Sequence, residues 1–150
     1  MKKILITVSK GQFSKRQTKS LESLIRQNYK THISADSLLI IWNQVPAENI
    51  FHDYKNEQPS ILAIESNENV EQHQRVVMFE ACARDWLQIT GQRIDQLIIS
   101  VLDTPAFNTL LHRNSKHLTI PGKVKYFLRL GADLLSSRTL KGYYTFNSSF

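Results

Sequence analysis

Cysteine is almost absent from this 150-residue sequence, which contains one cysteine and five glycines. A single thiol, Cys82, excludes an internal disulfide, and its apolar, helix-like surroundings favour a core residue over a nucleophile. Glycine-rich phosphate loops, Gly-x-Ser-x-Gly and Cys-x-x-Cys are all missing. The five histidines also lack the spacing of a zinc site. We therefore expect neither a metal nor a bound cofactor.

Long apolar runs are missing as well. No stretch of the sequence approaches the roughly 20 consecutive apolar residues that a membrane-spanning helix needs. The apolar run that follows Lys2 and Lys3 is also too short for a signal peptide. We expect a cytoplasmic protein with no membrane partner. Its length and its 41% hydrophobic content suit one domain with a core of its own.

The basic residues, by contrast, are concentrated at one end of the sequence. Residues 1–111 contain 12 basic and 12 acidic side chains, whereas residues 112–150 contain seven basic side chains and one acidic one. The whole net charge of +6 therefore lies in this basic C-terminal segment, which also carries aromatic residues between its charges. Such a segment can pack against a neighbouring subunit, bind a small anion, or bind single-stranded nucleic acid. We favour subunit packing over an anionic ligand, and expect nucleic acid least.

Two copies of one unit are recognisable in the sequence. Residues 4–9 and 61–66 are similar apolar runs, 57 residues apart. Residues 36–49 match residues 95–108 at an offset of 59, and both copies end in Pro-Ala-x-Asn. Since repeats determine the architecture on which any site is built, we divide the chain accordingly. A single domain, 1–150, is predicted to contain repeat 1 (about 2–49), repeat 2 (about 59–108) and the basic C-terminal segment 112–150.

Each repeat has the pattern of a strand, a helix and a second strand. Capping-box patterns follow both first strands, with Ser14 or Asn69 followed three residues later by glutamine. The two strands of such a unit are parallel, and the connection between them is almost always right-handed. The predicted fold class is therefore α+β, with a four-stranded sheet and two helices on one face. The second face would need to be covered by the C-terminal segment or by another subunit.

The tandem units and the turn at residues 44–51, Gln-Val-Pro-Ala-Glu-Asn-Ile-Phe, resemble the tautomerase superfamily. The resemblance covers about residues 2–107 and is strongest to fused, long-chain members similar to cis-3-chloroacrylic acid dehalogenase and malonate semialdehyde decarboxylase. It implies a homotrimer with pockets at the start of the first strand. It also implies a base, the amine of an N-terminal proline, whose pKa suits proton transfer near neutral pH.

The residues that this resemblance assigns to a site depart from the family pattern. Lys2 stands where the proline is expected, and Pro59, its counterpart in repeat 2, has an internal amide nitrogen that cannot titrate. Arg75 is the nearest candidate for holding a substrate carboxylate, while Trp42 and Phe51 could form the wall of a ligand pocket. Each of these residues also has a structural reading: a solvated lysine, a solvated helix residue, or packing in the core or between subunits.

These observations lead to one preferred hypothesis and two alternatives. We expect a divergent tautomerase-like protein that lacks proline-dependent catalysis and binds a small carboxylate. One alternative is an isomerase or lyase that uses Lys2 or the Met1 amine as acid and base. The other is a module that binds anions or nucleic acid through its basic C-terminal segment.

Overall fold

One five-stranded sheet carries four helices in the computed structural model, which describes residues 1–50, 58–115 and 132–149. Short 3-10 turns follow β2 and precede β4. No helix in these ranges is long and apolar enough to cross a membrane. The elements are β1 (Lys2–Ser9), α1 (Lys15–His32), β2 (Leu38–Val45), β3 (Ser60–Ser66), α2 (Gln72–Thr90), β4 (Leu97–Asp103), α3 (Thr104–Ser115), α4 (132–141) and β5 (Tyr144–Ser149).

The strand order β4-β3-β1-β2-β5 shows both predicted repeats. Within each repeat the two strands are parallel, β1 with β2 and β3 with β4. The repeats adjoin through β1 and β3, which are antiparallel, so that Ile4 lies opposite Ile64. The two predicted β-α-β units are therefore present and meet at the centre of the sheet.

The first of the two predicted helix starts is correct. The Ser14 hydroxyl accepts a hydrogen bond from the Gln17 backbone, and the Gln17 side chain accepts one from the Ser14 backbone. The start predicted at Asn69 is wrong by two residues, because a tight turn separates β3 from α2. There the capping box uses Glu71 and Gln74.

The main core lies between α1, α2 and one face of the sheet. Alternate strand residues such as Ile4 and Ile6 point to this face, as the two-residue period of a strand requires. Trp86 lies at the centre, stacked on Trp42 with ring centroids 6.5 Å apart. Cys82 is fully buried there, and burial raises the pKa of its thiol to about 12. The cysteine is therefore a core residue and a poor nucleophile at neutral pH.

The sheet has one more strand than predicted, and its second face carries helices of the same chain. Phe107 of α3 and Phe146 of β5 are buried on this face, and Leu134 of α4 packs against them. β5 pairs in parallel with β2, which places Phe146 opposite Ile41. The prediction of four strands with helices on one face was incomplete because it treated the segment after residue 108 as a tail rather than as further elements.

The second face stays partly open at the β3–β4 edge. Ile61 and Ile98 lie directly opposite each other across these strands and are 39% and 49% exposed. Neighbouring apolar side chains in register form a continuous patch rather than two isolated exposed residues. The chain itself therefore covers this face of the sheet only in part.

We expect Phe107→Ala to lower the free energy of unfolding by about 3–5 kcal/mol, because a fully buried ring would be replaced by a cavity. Urea denaturation measures the change. Phe79→Ala is the matched control: Phe79 is 40% exposed on α2, so its truncation should cost less than about 1 kcal/mol. Equal costs for the two variants would show that α3 does not pack on the sheet as described.

Candidate functional site

Lys2 begins β1, at the end of the sheet where the family resemblance predicts a pocket. Its backbone N–H donates to the Ser37 carbonyl at 2.9 Å, and Lys2 lies opposite Leu38 of β2 in the parallel ladder. The Lys2 side chain is only 16% exposed. Lys2 is therefore not a solvated terminal lysine, since both its backbone and its side chain are held by the fold.

Three acceptors surround the Lys2 ammonium group. Its Nζ lies 2.8 Å from Thr104 Oγ1, 3.5 Å from the Ser66 carbonyl and 3.8 Å from Glu65 Oε1. An ammonium group has three N–H donors and no acceptor. Two of these acceptors lie within hydrogen-bond distance and the third forms an ion pair, and all three come from β3 and from the first residue of α3.

Glu65 is the buried charge of this network, since its side chain is only 3% exposed. Its Oε2 atom accepts a hydrogen bond from the Lys3 backbone at 2.9 Å and lies 3.7 Å from Lys3 Nζ. A buried carboxylate is tolerated only when it is paired and hydrogen-bonded. The pairing of β1 with β3 supplies both lysines. We name Lys2, Lys3, Glu65, Ser66 and Thr104 the Lys2 network.

Two groups next to the Lys2 network are held in one protonation state. The Tyr29 hydroxyl donates to the Glu65 carbonyl at 2.9 Å, and burial raises the pKa of Tyr29 to about 12. The pKa of Asp36 is lowered, first by the Ser34 hydroxyl and then by hydrogen bonding to Asn67 and the charge of Lys2. Near neutral pH the phenol is therefore neutral and the carboxyl group is ionised.

The other predicted site residues do not join the Lys2 network. Arg75 donates from Nε to the Val70 carbonyl at 3.1 Å, which holds the loop before α2. Trp42 is four residues along β2 from Leu38, the partner of Lys2, a separation of roughly 13 Å at 3.3 Å per residue. Phe51 lies outside the described residues.

Trp42 instead contacts a second buried carboxylate, Glu22 of α1, which is 1% exposed. Glu22 accepts hydrogen bonds from Trp42 Nε1 at 3.1 Å, from Thr145 Oγ1 at 3.1 Å and from the Tyr143 hydroxyl. Lys141 Nζ lies 3.3 Å from it. Burial and the Glu22 carboxylate raise the pKa of Tyr143. Three of these four donors belong to residues 141–145, so Glu22 anchors the end of the chain.

The described aromatic residues of the C-terminal segment are engaged by their own chain. Arg26 lies 4.2 Å from the centroid of the Tyr143 ring, and Arg138 lies 4.9 Å from that of Tyr144. Phe146 is 2% exposed. Base stacking on nucleic acid requires accessible rings. Residues 132–149 offer none with a freely exposed face, whereas residues 116–131 lie outside the described ranges.

Three cavities lie along α1 and the C-terminal elements, with volumes of about 310, 580 and 590 Å³. The smallest is lined by Glu22 and Trp42, among others. Lys2 lines none of the three. Spaces of this size can accept small molecules.

No family model matches the sequence, and no curated protein matches it. Solved structures do match. Native Ps01740 has a TM-score of 0.65 at 20% identity, covering 70% of this chain and 96% of that one. N1, a member of the cis-3-chloroacrylic acid dehalogenase family, has a TM-score of 0.63 at 10% identity, covering 71% and 77%. A fused 4-OT wild-type asymmetric trimer has a TM-score of 0.61 at 13% identity, covering 67% and 85%.

These likenesses establish the fold. The chain has a tautomerase-like fold, as the repeat and the turn at residues 44–51 predicted. At identities of 20% or below they carry no information about which side chains act. The role of the Lys2 network must therefore be argued from its own geometry.

We expect Glu22→Ala to cost about 3 kcal/mol or more of unfolding free energy, because it leaves buried donors on Trp42, Tyr143 and Thr145 without an acceptor. Hydrogen exchange should show β5 losing protection before the rest of the sheet. Glu80→Ala, an exposed change on α2, should stay within about 0.5 kcal/mol. Unchanged protection of β5 in Glu22→Ala would contradict the anchoring role.

Proposed function

We propose that this chain is a divergent protein of the tautomerase superfamily that carries out no proline-dependent catalysis and binds a small carboxylate. The observation that carries the proposal is the Lys2 network. At the position of the family's catalytic amine, the side-chain nitrogen is held by two hydrogen-bond acceptors, Thr104 Oγ1 and the Ser66 carbonyl, and by an ion pair with Glu65.

The backbone supports the same conclusion. The chemistry of the family, as the resemblance implies it, needs a free amine at this point of the first strand. Here the nitrogen of Lys2 is an amide that donates to Ser37 within the sheet. The lone pair of a peptide nitrogen is delocalised into the adjoining carbonyl, so this nitrogen cannot act as a base. Neither nitrogen of Lys2 is therefore available to a substrate in this arrangement.

The charges at this end of the sheet favour the pairing of Lys2 and Lys3 with Glu65 over the binding of a substrate. A substrate carboxylate would have to displace Glu65 from Lys2 and Lys3, and would leave a buried charge without partners. Removing one partner from a buried pair typically costs several kcal/mol. A carboxylate ligand is thus better accommodated elsewhere on the protein.

Carboxylate binding itself is supported by charge and by analogy. The net charge of +6 lies in residues 112–150; the described residues 132–149, which pack along α1, contribute two bases and one acid to it. One protein of similar fold belongs to a family named for its action on a small carboxylic acid, cis-3-chloroacrylic acid. Positive potential in a cleft attracts such anions.

A homotrimer is the assembly that we propose for this chain. A fused 4-OT trimer shares its fold, and the Ile61–Ile98 pair leaves an apolar patch on the second face of the sheet. Burial of apolar surface of this kind drives association. A second copy of the chain would complete the cover that α3 and α4 begin.

The native protein should not accelerate the ketonisation of an enol carboxylate, phenylenolpyruvate, above the rate in buffer. The reason is that Lys2 is held by its own acceptors and that no secondary amine stands in its place. Absorbance of the enol measures the rate at equal protein concentrations for the native chain and for Lys2→Met, which keeps the aliphatic stem but removes the ammonium group.

A substantial native rate that disappears in Lys2→Met would contradict the proposal and establish Lys2 as the acid or base of an enzyme. A substantial rate retained in Lys2→Met would also contradict the proposal and would show that a group other than Lys2 catalyses the reaction. Lys2→Pro tests whether the position can still support the family's chemistry, although the new residue lacks the N–H that donates to Ser37.

Light scattering on a sizing column should give a mass of three chains of 17.4 kDa each. The double variant Ile61→Asp/Ile98→Asp should elute as a monomer, because two facing charges cannot be buried in a contact. Val76→Asp changes an exposed apolar residue on α2 and should leave the mass unchanged. A native monomer at micromolar concentration would contradict the assembly.

A further inference from the structure

A cleft of about 580 Å³ lies at the end of the sheet opposite Lys2. It lies between the first turns of α1, the ends of β2 and β5, and the end of α4, where Gln44, Asn147 and Leu140 contribute to its walls. β1, β2 and β5 are parallel to one another. The cleft is therefore at the carboxyl ends of three parallel strands, opposite the end that holds Lys2. Crevices in this position are where parallel sheets commonly bind ligands.

Three lysines, Lys15, Lys19 and Lys141, line the cleft. The described residues of its wall include no acidic side chain, but the 310 Å³ cavity shares part of this wall and is lined by Glu22 and Asp133. Lys15 and Lys19 are one helical turn apart and exposed, and neither makes an ion pair within the described parts of the chain. Like charges at this spacing destabilise a helix, and cations are unfavourable at its N-terminal end. The first turn of α1 has no acidic residue to offset them. A bound anion would relieve both effects.

Lys141 is held in place from the opposite side. Its Nζ lies 3.3 Å from Glu22, whose carboxylate also accepts from Trp42, Tyr143 and Thr145. Glu22 therefore orients Lys141 but lies outside the wall of the cleft. The charge available to a ligand comes mainly from Lys15 and Lys19.

The remaining walls indicate what the anion carries besides its charge. The side-chain amides of Gln44 and Asn147, from neighbouring strands, make no hydrogen bond within the described residues. They can donate to further oxygens of a ligand. Phe13 and Leu140 add apolar surface, and Leu140 is 84% exposed. This combination suits a small organic acid better than an inorganic ion.

We propose that this lysine cleft, formed by Lys15, Lys19, Lys141, Gln44 and Asn147, is the binding site for the carboxylate of a small organic acid. The inference rests on the proposed function, which includes carboxylate binding but gives it no location. It also assigns a role to the C-terminal elements, because α4 and β5 supply one wall of the cleft.

Phenylpyruvate, which joins a carboxylate to an apolar ring, is a suitable probe, and calorimetry measures its Kd with the native chain. Lys15→Gln/Lys19→Gln should raise this Kd by at least about tenfold, since it removes both unpaired ammonium groups. Lys30→Gln/Arg84→Gln removes two exposed cations outside the lysine cleft, one near the end of α1 that lines the 590 Å³ cavity and one on α2. This matched variant should leave the Kd within about twofold, as should Lys2→Gln.

Loss of binding in Lys30→Gln/Arg84→Gln or in Lys2→Gln, with Lys15→Gln/Lys19→Gln unaffected, would overturn the lysine cleft and leave carboxylate binding intact at another place. No binding of phenylpyruvate to the native chain would overturn the cleft together with the carboxylate part of the proposed function. The ketonisation experiment is independent of both results, so that the absence of proline-dependent catalysis is tested separately.

Discussion

The antiparallel pairing of β1 with β3 is the constraint on which the Lys2 end of the molecule depends. Because Ile4 lies opposite Ile64, the register carries Lys2 and Lys3 to the positions facing Ser66 and Glu65. A shift of one residue would exchange the side chains that β1 presents to the two cores on either face of the sheet. The hydrophobic core thus determines the register, and the register brings the two lysines to a buried carboxylate. The pairing of Lys2 and Lys3 with Glu65 therefore follows from the packing of the sheet.

Two buried glutamates, Glu65 and Glu22, tie peripheral segments to the sheet in the same way. Each is at most 2% exposed. Glu65 pairs with the lysines that begin β1, while Glu22 accepts donors from residues near the end of the chain. A buried carboxylate favours one arrangement of the chain over others only when all of its hydrogen-bond and ion-pair partners are in place. We infer that the positions of both chain segments are set by the need to satisfy these charges.

Sequence reasoning was most successful where the signal was local or periodic. The repeats, the strands β1 to β4 and the helix start at Ser14 follow from apolar runs and a capping box. α3 was missed, although Phe107 and the leucines after it have helical spacing and a proline stands near the helix start, as is common. Glu65 accepts a hydrogen bond from Lys3, 62 residues away in the sequence, and Glu22 accepts one from Thr145, 123 residues away. Such pairs depend on register between distant strands, which no local pattern encodes.

The two ends of the sheet differ in how their lysines are neutralised. At the Lys2 end, the ammonium groups of Lys2 and Lys3 each lie within 4 Å of Glu65, at 3.8 and 3.7 Å. At the other end, Lys15 and Lys19 face a cleft whose described wall residues include no acid. Charges already paired contribute little attraction beyond the Debye length, whereas unpaired charges in a cleft focus the field on incoming anions. The fold therefore leaves Lys15 and Lys19 accessible far from the position where the resemblance implies a catalytic amine, whereas Lys2 and Lys3 at that position are paired.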